Sequence, residues 1–208
     1  MTGEGFRVLV VCTGNICRSP AGERWLEALA DDSVSVSSAG VAALVGADID
    51  PAMADLMSAA GLSVDGFAAR QLTPAMIRHA DLVLTMTGSH RRWVVERVPA
   101  AVRKTYTLLE LARIARLVDE RYPGAATSTA RRLIGLELAV PHVRPRLSHA
   151  AANAGAEAAG TPAVEAVPGL DGLDVPDPYR GDATAFQHVF DQIRAAVRVV
   201  VGQPPVGA

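Results

Sequence analysis

The sequence has few of the residues that define a disulfide-rich or membrane-spanning protein. Only two of its 208 residues are cysteines, Cys12 and Cys17, which excludes a disulfide scaffold. No apolar run approaches the roughly 20 residues that span a bilayer. The first seven residues show neither a basic region followed by an apolar stretch nor a cleavage site. We therefore expect a cytoplasmic protein without a membrane span.

A large excess of one charge is also missing. The formal net charge is -2 and 20% of the residues are charged, values that are typical of a soluble globular domain. Residues 91–146 carry twelve Arg or Lys against five Asp or Glu. We interpret this basic stretch as solvated helix faces, with a surface for an acidic partner as the alternative. We expect no nucleic-acid partner.

Short apolar strands alternate with amphipathic helices along the first half of the chain. The pattern predicts strands at 6–12, 34–38, 81–86 and 104–108, with a helix after each of the first three. Such alternation is typical of right-handed βαβ units. The predicted fold is α/β, an open parallel sheet with helices on both faces.

The pattern changes after residue 109. Helices are predicted at 109–121 and 127–138, and residues 150–170 are rich in alanine, glycine and proline, with too little apolar bulk to form a core. A final amphipathic helix follows Asp182, its predicted N-cap. We predict one domain over 1–208 with an insertion at 110–173, helical to about 138 and a flexible linker at about 148–173.

The segment after the first strand has the features of an oxyanion site. Residues 12–20 read Cys-Thr-Gly-Asn-Ile-Cys-Arg-Ser-Pro and lie between a buried strand and a helix N-terminus, where free backbone N–H groups favour an anion. Gly14 and Asn15 permit a tight curl with φ > 0. Cys12 is the predicted nucleophile, and Arg18 is placed to bind two oxygens of a tetrahedral dianion.

Three further observations complete the predicted chemistry. The Ser19 hydroxyl is placed to donate to the sulfur of Cys12. Asp177, held between two prolines, is a rigidly presented carboxyl group and the candidate proton donor for the leaving oxygen. No metal or other cofactor is expected, because the five histidines show no ligand spacing with the two cysteines.

These residues resemble the low-molecular-weight protein tyrosine phosphatases. The resemblance covers residues 6–109 and 174–200, and its motifs are 11–20, Ser-Ala-Gly at 38–40, Ala-Arg-Gln-Leu at 69–72, Asp-Leu-Val-Leu-Thr-Met at 81–86 and Asp-Pro-Tyr at 177–179. It implies a four-stranded, flavodoxin-like parallel sheet. It also implies a phosphocysteine intermediate on Cys12, with Arg18 binding the dianion and Asp177 as general acid and then base.

The resemblance also assigns supporting roles. Substrate-binding positions would be the loop residues and the tyrosine that lines the cleft, namely Thr13, Gly14, Asn15, Ile16, Cys17, Ser19 and Tyr179. Ser38 would support the loop, and the partner would be a phosphotyrosine-containing protein such as a bacterial tyrosine kinase or a polysaccharide-export component. The sequence departs from the family at Phe67, where members carry a histidine, and at Arg180, which replaces a second aromatic residue.

Two other functions remain open. The first is an arsenate reductase of the same fold, which would use the same loop on another tetrahedral oxyanion. An external thiol would complete its reaction in place of further cysteines. A non-catalytic oxyanion or phosphoprotein-binding module would bind without turnover, and the presence of Asp177 argues against both. Cys17 shares the loop with Cys12, so we also predict a reversible disulfide under peroxide, with Cys17 as redox partner, against the alternative that Cys17 only packs.

Overall fold

A computed structural model describes residues 5–122, 124, 128–153 and 173–203, and over 142–153 it describes the backbone alone. The strands are β1 (Phe6–Cys12), β2 (Val34–Gly40), β3 (Leu82–Thr85) and β4 (Thr105–Thr107). The helices are α1 (Arg18–Leu29), α2 (Pro51–Ala59), α3 (Pro74–His79), α4 (Gly88–Arg97), α5 (Leu108–Arg121), α6 (Thr129–Asn153) and α7 (Ala183–Val201), with a 3-10 helix at Pro99–Lys104.

The four strands form one parallel sheet in the order β2-β1-β3-β4. β1 lies in the centre, and its register pairs Cys12 with Gly40 of β2 and Val11 with Thr85 of β3. The carboxyl ends of β1, β2 and β3 therefore meet at one edge, as expected for a doubly wound sheet. The predicted α/β fold with four parallel strands is confirmed.

Alternate side chains of β1 enter two separate cores. Val8, Val10 and Cys12 face the larger cluster, which contains residues of α1, α2, α5 and α7. Leu9 and Val11 face the smaller cluster beside α3 and α4. A strand buried on both faces needs an uninterrupted apolar run, which is why residues 8–11 contain no polar side chain.

Side-chain caps define where most helices begin. The N-cap oxygen accepts a backbone N–H in the first turn at each of five helices, with Asp50 before α2, Thr73 before α3, Thr87 before α4, Thr107 before α5 and Asp182 before α7. The predicted cap at Asp182 is present, with its Oδ1 2.8 Å from the Ala185 N. α1 lacks such a cap, which leaves its first amides available to a ligand.

The second half of the chain differs from the prediction in detail. The second helix of the predicted insertion continues to Asn153, beyond the expected end at 138, so residues 148–153 are helical and not linker. The rest of the predicted linker, 154–172, lies outside the described residues. α5 is a core helix, with seven buried residues at its start.

The sheet's two edges carry different features. The carboxyl edge holds the 12–19 loop, whereas the amino edge carries Arg7, Asp81 and Lys104, with α6 beside it. Among the helices in the described part of the chain, none is long and apolar enough to cross a bilayer.

Candidate active site

The carbonyl groups of the 12–19 loop are anchored on one side. The segment after β2 donates backbone N–H groups to them, from Val41 to the Cys12 oxygen at 3.0 Å and from Ala42 to the Thr13 oxygen at 3.0 Å. Leu44 and Asp50 donate in the same way to the oxygens of Gly14 and Ile16, at 3.0 and 2.9 Å. Residues 41–50 therefore hold the loop by its oxygens.

This anchoring determines where the loop's N–H groups point. In a trans peptide the N–H of one residue points away from the C=O of the residue before it, and the described chain contains no cis peptide. The amides of Thr13, Gly14, Asn15 and Cys17 must therefore face away from residues 41–50. The Asn15 N–H shows which side this is, because it donates to the Cys12 Sγ at 3.3 Å.

Asn15 holds the curl of the loop. Its φ is +56°, so the left-handed position falls on Asn15 and not on Gly14, whose φ is not positive. The side chain is fully buried, and its Nδ2 donates to the Ser19 Oγ at 2.9 Å and to the Ser38 Oγ at 2.8 Å. Its Oδ1 accepts from the Arg70 N at 2.8 Å. These three bonds offset the cost of a left-handed non-glycine residue.

Gly40 is required by the close approach of the loop to the end of β2. A Cβ at this position would lie 2.4 Å from the Thr13 backbone oxygen and 3.0 Å from the Asn15 nitrogen. Both of these atoms belong to the backbone, which has little freedom to move. The Ser-Ala-Gly sequence at 38–40 thus supplies a hydroxyl to the network and the space for the loop.

Cys12 lies at the floor of the site. It is 2% exposed, and its Sγ is 2.9 Å from the Ser19 Oγ as well as 3.3 Å from the Asn15 N. Both contacts can donate to a thiolate, and the Ser19 hydroxyl accepts from Asn15 at the same time, which directs its own hydrogen towards sulfur. The structure places the sulfur of the predicted nucleophile within reach of two hydrogen-bond donors.

Arg18 is the first residue of α1. It is 4% exposed, and its Nη1 donates to the Val175 oxygen at 3.3 Å. Its Nη2 donates to the Thr13 Oγ1 at 3.3 Å and to the Asp177 Oδ2 at 2.5 Å. The structure thus brings Arg18 and Asp177 together beside Thr13, the residue after Cys12, although Asp177 is 159 residues from Arg18 in sequence.

The segment 174–177 is fixed to the sheet by its own bonds. Asp174 Oδ1 accepts from the Gly88 N at the start of α4 at 2.7 Å, and the Val175 N donates to the Met86 oxygen at 2.8 Å. Asp177 then projects from between its prolines, and its Oδ1 accepts from the Tyr179 N at 3.2 Å. The Asp177 side chain is half exposed, so its carboxyl group is open to solvent.

Two segments next to the site in sequence carry exposed apolar side chains. Leu44 and Val45, on the segment that anchors the loop, are 49% and 70% exposed. Tyr179, two residues after Asp177, is 47% exposed, and its ring centre lies 5.5 Å from the Arg180 guanidinium carbon. The arginine at 180 therefore packs against Tyr179 without covering it.

Cys17 is a buried free thiol at the N-cap position of α1. Burial raises the pKa of its thiol to about 12, and the nearby Asp50 acts in the same direction. Cys17 is therefore protonated at neutral pH and does not compete with Cys12 as a nucleophile. Cys12 is also a free thiol in this structure.

Sequence reasoning missed four contributors to the site: Glu23, Arg70, His90 and Asp174. Glu23 binds the Ser38 hydroxyl, and Arg70 donates its Nη2 to the Ser38 backbone oxygen at 3.0 Å. Phe67, which stands where the family has a histidine, packs against the larger core. Only Arg70 had a signal, through its motif at 69–72; the others are joined to the site by tertiary contacts alone.

Metal ligands are not assembled in the described part of the chain. No group of three or more His, Cys, Asp or Glu side chains is arranged there to hold a metal ion.

Sequence comparison connects the site to known proteins. A family profile described as low molecular weight phosphotyrosine protein phosphatase matches residues 7–120, more than half of the chain. The low molecular weight protein-tyrosine-phosphatase Wzb of Salmonella typhi is 48% identical over 84 residues. That match covers 40% of this chain and 56% of Wzb, so the aligned part is little more than half the length of this relative.

Structure comparison extends the similarity over nearly the whole chain. The tyrosine phosphatase Wzb from Escherichia coli K30, solved in complex with sulphate, superposes with a TM-score of 0.64 at 26% identity, covering 96% of this chain and 98% of that one. The YwlE arginine phosphatase from Geobacillus stearothermophilus has a TM-score of 0.61 at 24% identity, covering 95% and 91%. At 24% identity the second similarity establishes the fold alone.

Proposed function

Since the chain belongs to the low molecular weight phosphotyrosine protein phosphatase family, we propose that it hydrolyses aryl phosphate monoesters, including phosphotyrosine in proteins, through a phosphocysteine on Cys12. One observation carries the proposal. The Cys12 Sγ lies on the side of the loop to which the amides point, and Arg18 Nη2 joins the Thr13 side chain of the same loop to Asp177.

The first step transfers the phosphoryl group to sulfur. The Cys12 thiolate attacks phosphorus, an S–P bond forms, and the P–O bond to the leaving oxygen breaks. Arg18 and the inward amides bind the equatorial oxygens, where negative charge is concentrated. The protonated carboxyl group of Asp177 donates its hydrogen to the leaving oxygen.

The second step releases phosphate. Asp177, now a carboxylate, takes a proton from a water molecule that attacks phosphorus, and the S–P bond breaks. The hydrogen bonds from Ser19 and Asn15 to the Cys12 sulfur stabilise the departing thiolate. Phosphate then leaves, and the enzyme returns to its starting state.

The surroundings of the site favour an aryl leaving group over a phosphoguanidine. Leu44, Val45 and Tyr179 offer apolar surface to an aromatic ring, and Ile16 within the loop offers no acceptor to the N–H groups of a guanidinium. Since an arginine phosphatase shares the fold, the fold alone does not choose between these substrates. The side chains carry this part of the proposal.

The partner we propose is a phosphotyrosine-containing protein, such as a bacterial tyrosine kinase or a polysaccharide-export component, in the cytoplasm. The tyrosine phosphatase Wzb, to which this chain is similar, supports the class of reaction. Its complex with sulphate supports a site for tetrahedral oxyanions.

The test measures hydrolysis of p-nitrophenyl phosphate and of a phosphotyrosine peptide in the presence of EDTA. Phosphoarginine is assayed for hydrolysis in parallel, and arsenate is assayed for reduction in the presence of thiols. We expect wild type to release phosphate from the aryl esters only. Cys12→Ser should abolish turnover while it retains phosphate binding, and Arg18→Lys should lose both. Arg92→Lys, on the exposed face of α4, is the matched control and should behave as wild type.

Three results would contradict the proposal. Full turnover in Cys12→Ser would exclude the phosphocysteine. Arsenate reduction without ester hydrolysis would favour the reductase, and phosphate binding without turnover in wild type would favour a binding module.

A further inference from the structure

His90 is a buried histidine that the mechanism above does not use. It lies in the first turn of α4 and is 5% exposed. Both ring nitrogens have partners, with Nδ1 2.8 Å from the Thr87 Oγ1 and Nε2 2.9 Å from the Thr13 Oγ1. Buried polar groups with both partners in place are held in one orientation. His90 therefore links the start of α4 to the first residue of the loop after Cys12.

The imidazole is neutral at physiological pH. Burial lowers the pKa of His90 to about 4, and the nearby Arg18 acts in the same direction. A neutral imidazole has one N–H and one acceptor nitrogen, so one ring contact must donate and the other must accept. Which nitrogen carries the hydrogen decides what the Thr13 hydroxyl is able to do.

The Thr87 side favours an acceptor at Nδ1. Thr87 Oγ1 already accepts the His90 backbone N–H at 3.3 Å as the N-cap of α4, and the Ser89 Oγ lies 2.7 Å away. When Ser89 donates to this oxygen, both of its lone pairs are used. The Thr87 hydroxyl hydrogen is then given to Nδ1, which leaves the ring hydrogen on Nε2.

On the Thr13 side the consequence is a free donor beside the oxyanion site. Thr13 Oγ1 accepts from the Arg18 Nη2 at 3.3 Å and, in this tautomer, from the His90 Nε2 as well. An oxygen that accepts two hydrogen bonds is left with its own hydrogen to donate. Arg18 is the group proposed to hold the dianion, so that donor lies beside the bound phosphoryl oxygens.

We propose that His90 is a positioning residue that, through its Nε2–H, holds Thr13 with its hydroxyl hydrogen directed to a phosphoryl oxygen and steadies Arg18 beside it. The inference rests on the proposed function for its substrate, but it concerns oxyanion binding and not the chemical step. It predicts an effect on affinity for phosphate itself.

The experiment measures inorganic phosphate binding in variants of His90 and Thr13. His90→Leu and Thr13→Val should each weaken phosphate binding about tenfold, the usual worth of one hydrogen bond to a charged group, and raise KM similarly with little change in kcat. His90→Gln, whose amide N–H takes the place of Nε2–H, and Thr13→Ser should recover most of the affinity. The double variant should be no weaker than either single one.

Several results would overturn the inference. The first is a folded His90→Leu variant that binds phosphate as tightly as wild type. The second is a variant that lowers kcat and leaves KM unchanged. The third is a double variant whose loss of phosphate affinity equals the sum of the two single losses. Nitrogen-15 NMR of the histidines in the wild-type protein tests the tautomer without any mutation. A hydrogen on Nδ1 would overturn the inference even where the variants fail to fold.

Phosphate binding separates this inference from the proposed function. It is measured by calorimetry in the Cys12→Ser background, where no turnover is needed. If His90 and Thr13 control phosphate affinity but the wild type hydrolyses no ester, the inference stands and the proposed function fails. If the wild type hydrolyses esters but the His90 and Thr13 variants bind phosphate as tightly as it does, the proposed function stands and the inference fails.

Discussion

The two edges of the sheet differ in how completely their buried polar groups are hydrogen-bonded. At the carboxyl edge, Asn15, Ser19 and Ser38 are fully buried and hydrogen-bonded to one another, and loop carbonyls are bonded to residues 41–50. At the amino edge, a cavity of about 400 Å³ is lined by Arg78, Lys104 and Glu137, among others.

Pairing is incomplete at the amino edge. The Glu137 Oε1 is buried without a hydrogen-bond partner among the described residues. Lys104 Nζ binds the backbone oxygens of Arg78 and Ala80. The contrast indicates that hydrogen bonds hold the polar groups of the carboxyl edge in place, whereas the amino edge carries a cost in stability.

Among substitutions at the carboxyl edge, we expect the largest loss of turnover at Asp177. Asp177→Asn should lower turnover of phosphotyrosine by roughly a hundred- to ten-thousand-fold, because the amide cannot donate an acidic proton. The loss should shrink as the leaving group becomes more acidic. Rates for a series of aryl phosphates check this, with the exposed Asp65→Asn as matched control. The same loss for every leaving group would contradict the role of general acid.

Gly40→Ala should disturb the same edge through the backbone. The new Cβ would meet the Thr13 oxygen at 2.4 Å, so the loop must move, and turnover should fall about a hundredfold for a displacement near 1 Å. Gly135→Ala on α6 is the control, because a Cβ there meets nothing within 4 Å and alanine favours a helix. Equal activity and melting temperature in both variants would show that the loop adapts.

The cysteines test the loop's redox response. After peroxide and then a thiol reductant, wild type should regain activity and pass through an internal Cys12–Cys17 disulfide, since an oxidised Cys12 is trapped by a neighbouring thiol. Cys17→Ser should instead accumulate irreversibly oxidised Cys12. Activity recovery and peptide mass analysis measure this. Equal recovery in both proteins would leave Cys17 with a packing role only.

At the amino edge, Glu137→Gln should increase stability at high pH. Burial raises the pKa of Glu137 to about 7, with Asp81 raising it and Lys104 lowering it in smaller measure. The native state then holds a proton that the unfolded chain releases above about 4.5, so wild-type stability falls as pH rises from about 4.5 to 7.

Glutamine carries no such charge. The variant should therefore be more stable than wild type at pH 8, by about 1 kcal/mol after a discount for solvent screening of this partly exposed side chain, and equally stable at pH 4. Urea unfolding at both pH values measures the difference. Turnover should be unchanged because the site is at the opposite edge. A variant that loses stability at pH 8 would show that Glu137 has a partner in solution.

The smallest effect is expected from residues 154–172. The groups proposed for catalysis all lie outside this stretch, so a Gly/Ser sequence of the same length should leave hydrolysis of a small aryl phosphate within about twofold of wild type. The replacement begins after Asn153 in order to keep α6. Loss of small-substrate turnover in a folded variant would show that the stretch acts in catalysis.

Local sequence was sufficient to predict the fold and the place of the 12–19 loop in it. The apolar run of β1 and the βαβ alternation predicted the sheet, because burial on both faces permits few polar residues. The spacing from Cys12 to Arg18 predicted a loop that runs from the end of a strand to the start of a helix, and Arg18 is the first residue of α1. The end of α6 was harder to predict from the sequence. Local helix preferences are weak, so tertiary contacts decide where a helix ends.

The sequence by itself determined the strands, the loop and the residues suited to its chemistry. Only the tertiary structure decided that Asp177 reaches Arg18, that Arg70 supports Asn15 and that His90 contacts Thr13. Each of these contacts joins residues at least 55 positions apart. Local periodicity carries no information about such pairs, because they meet only after the helices have packed onto the sheet and brought the loops of its carboxyl edge together.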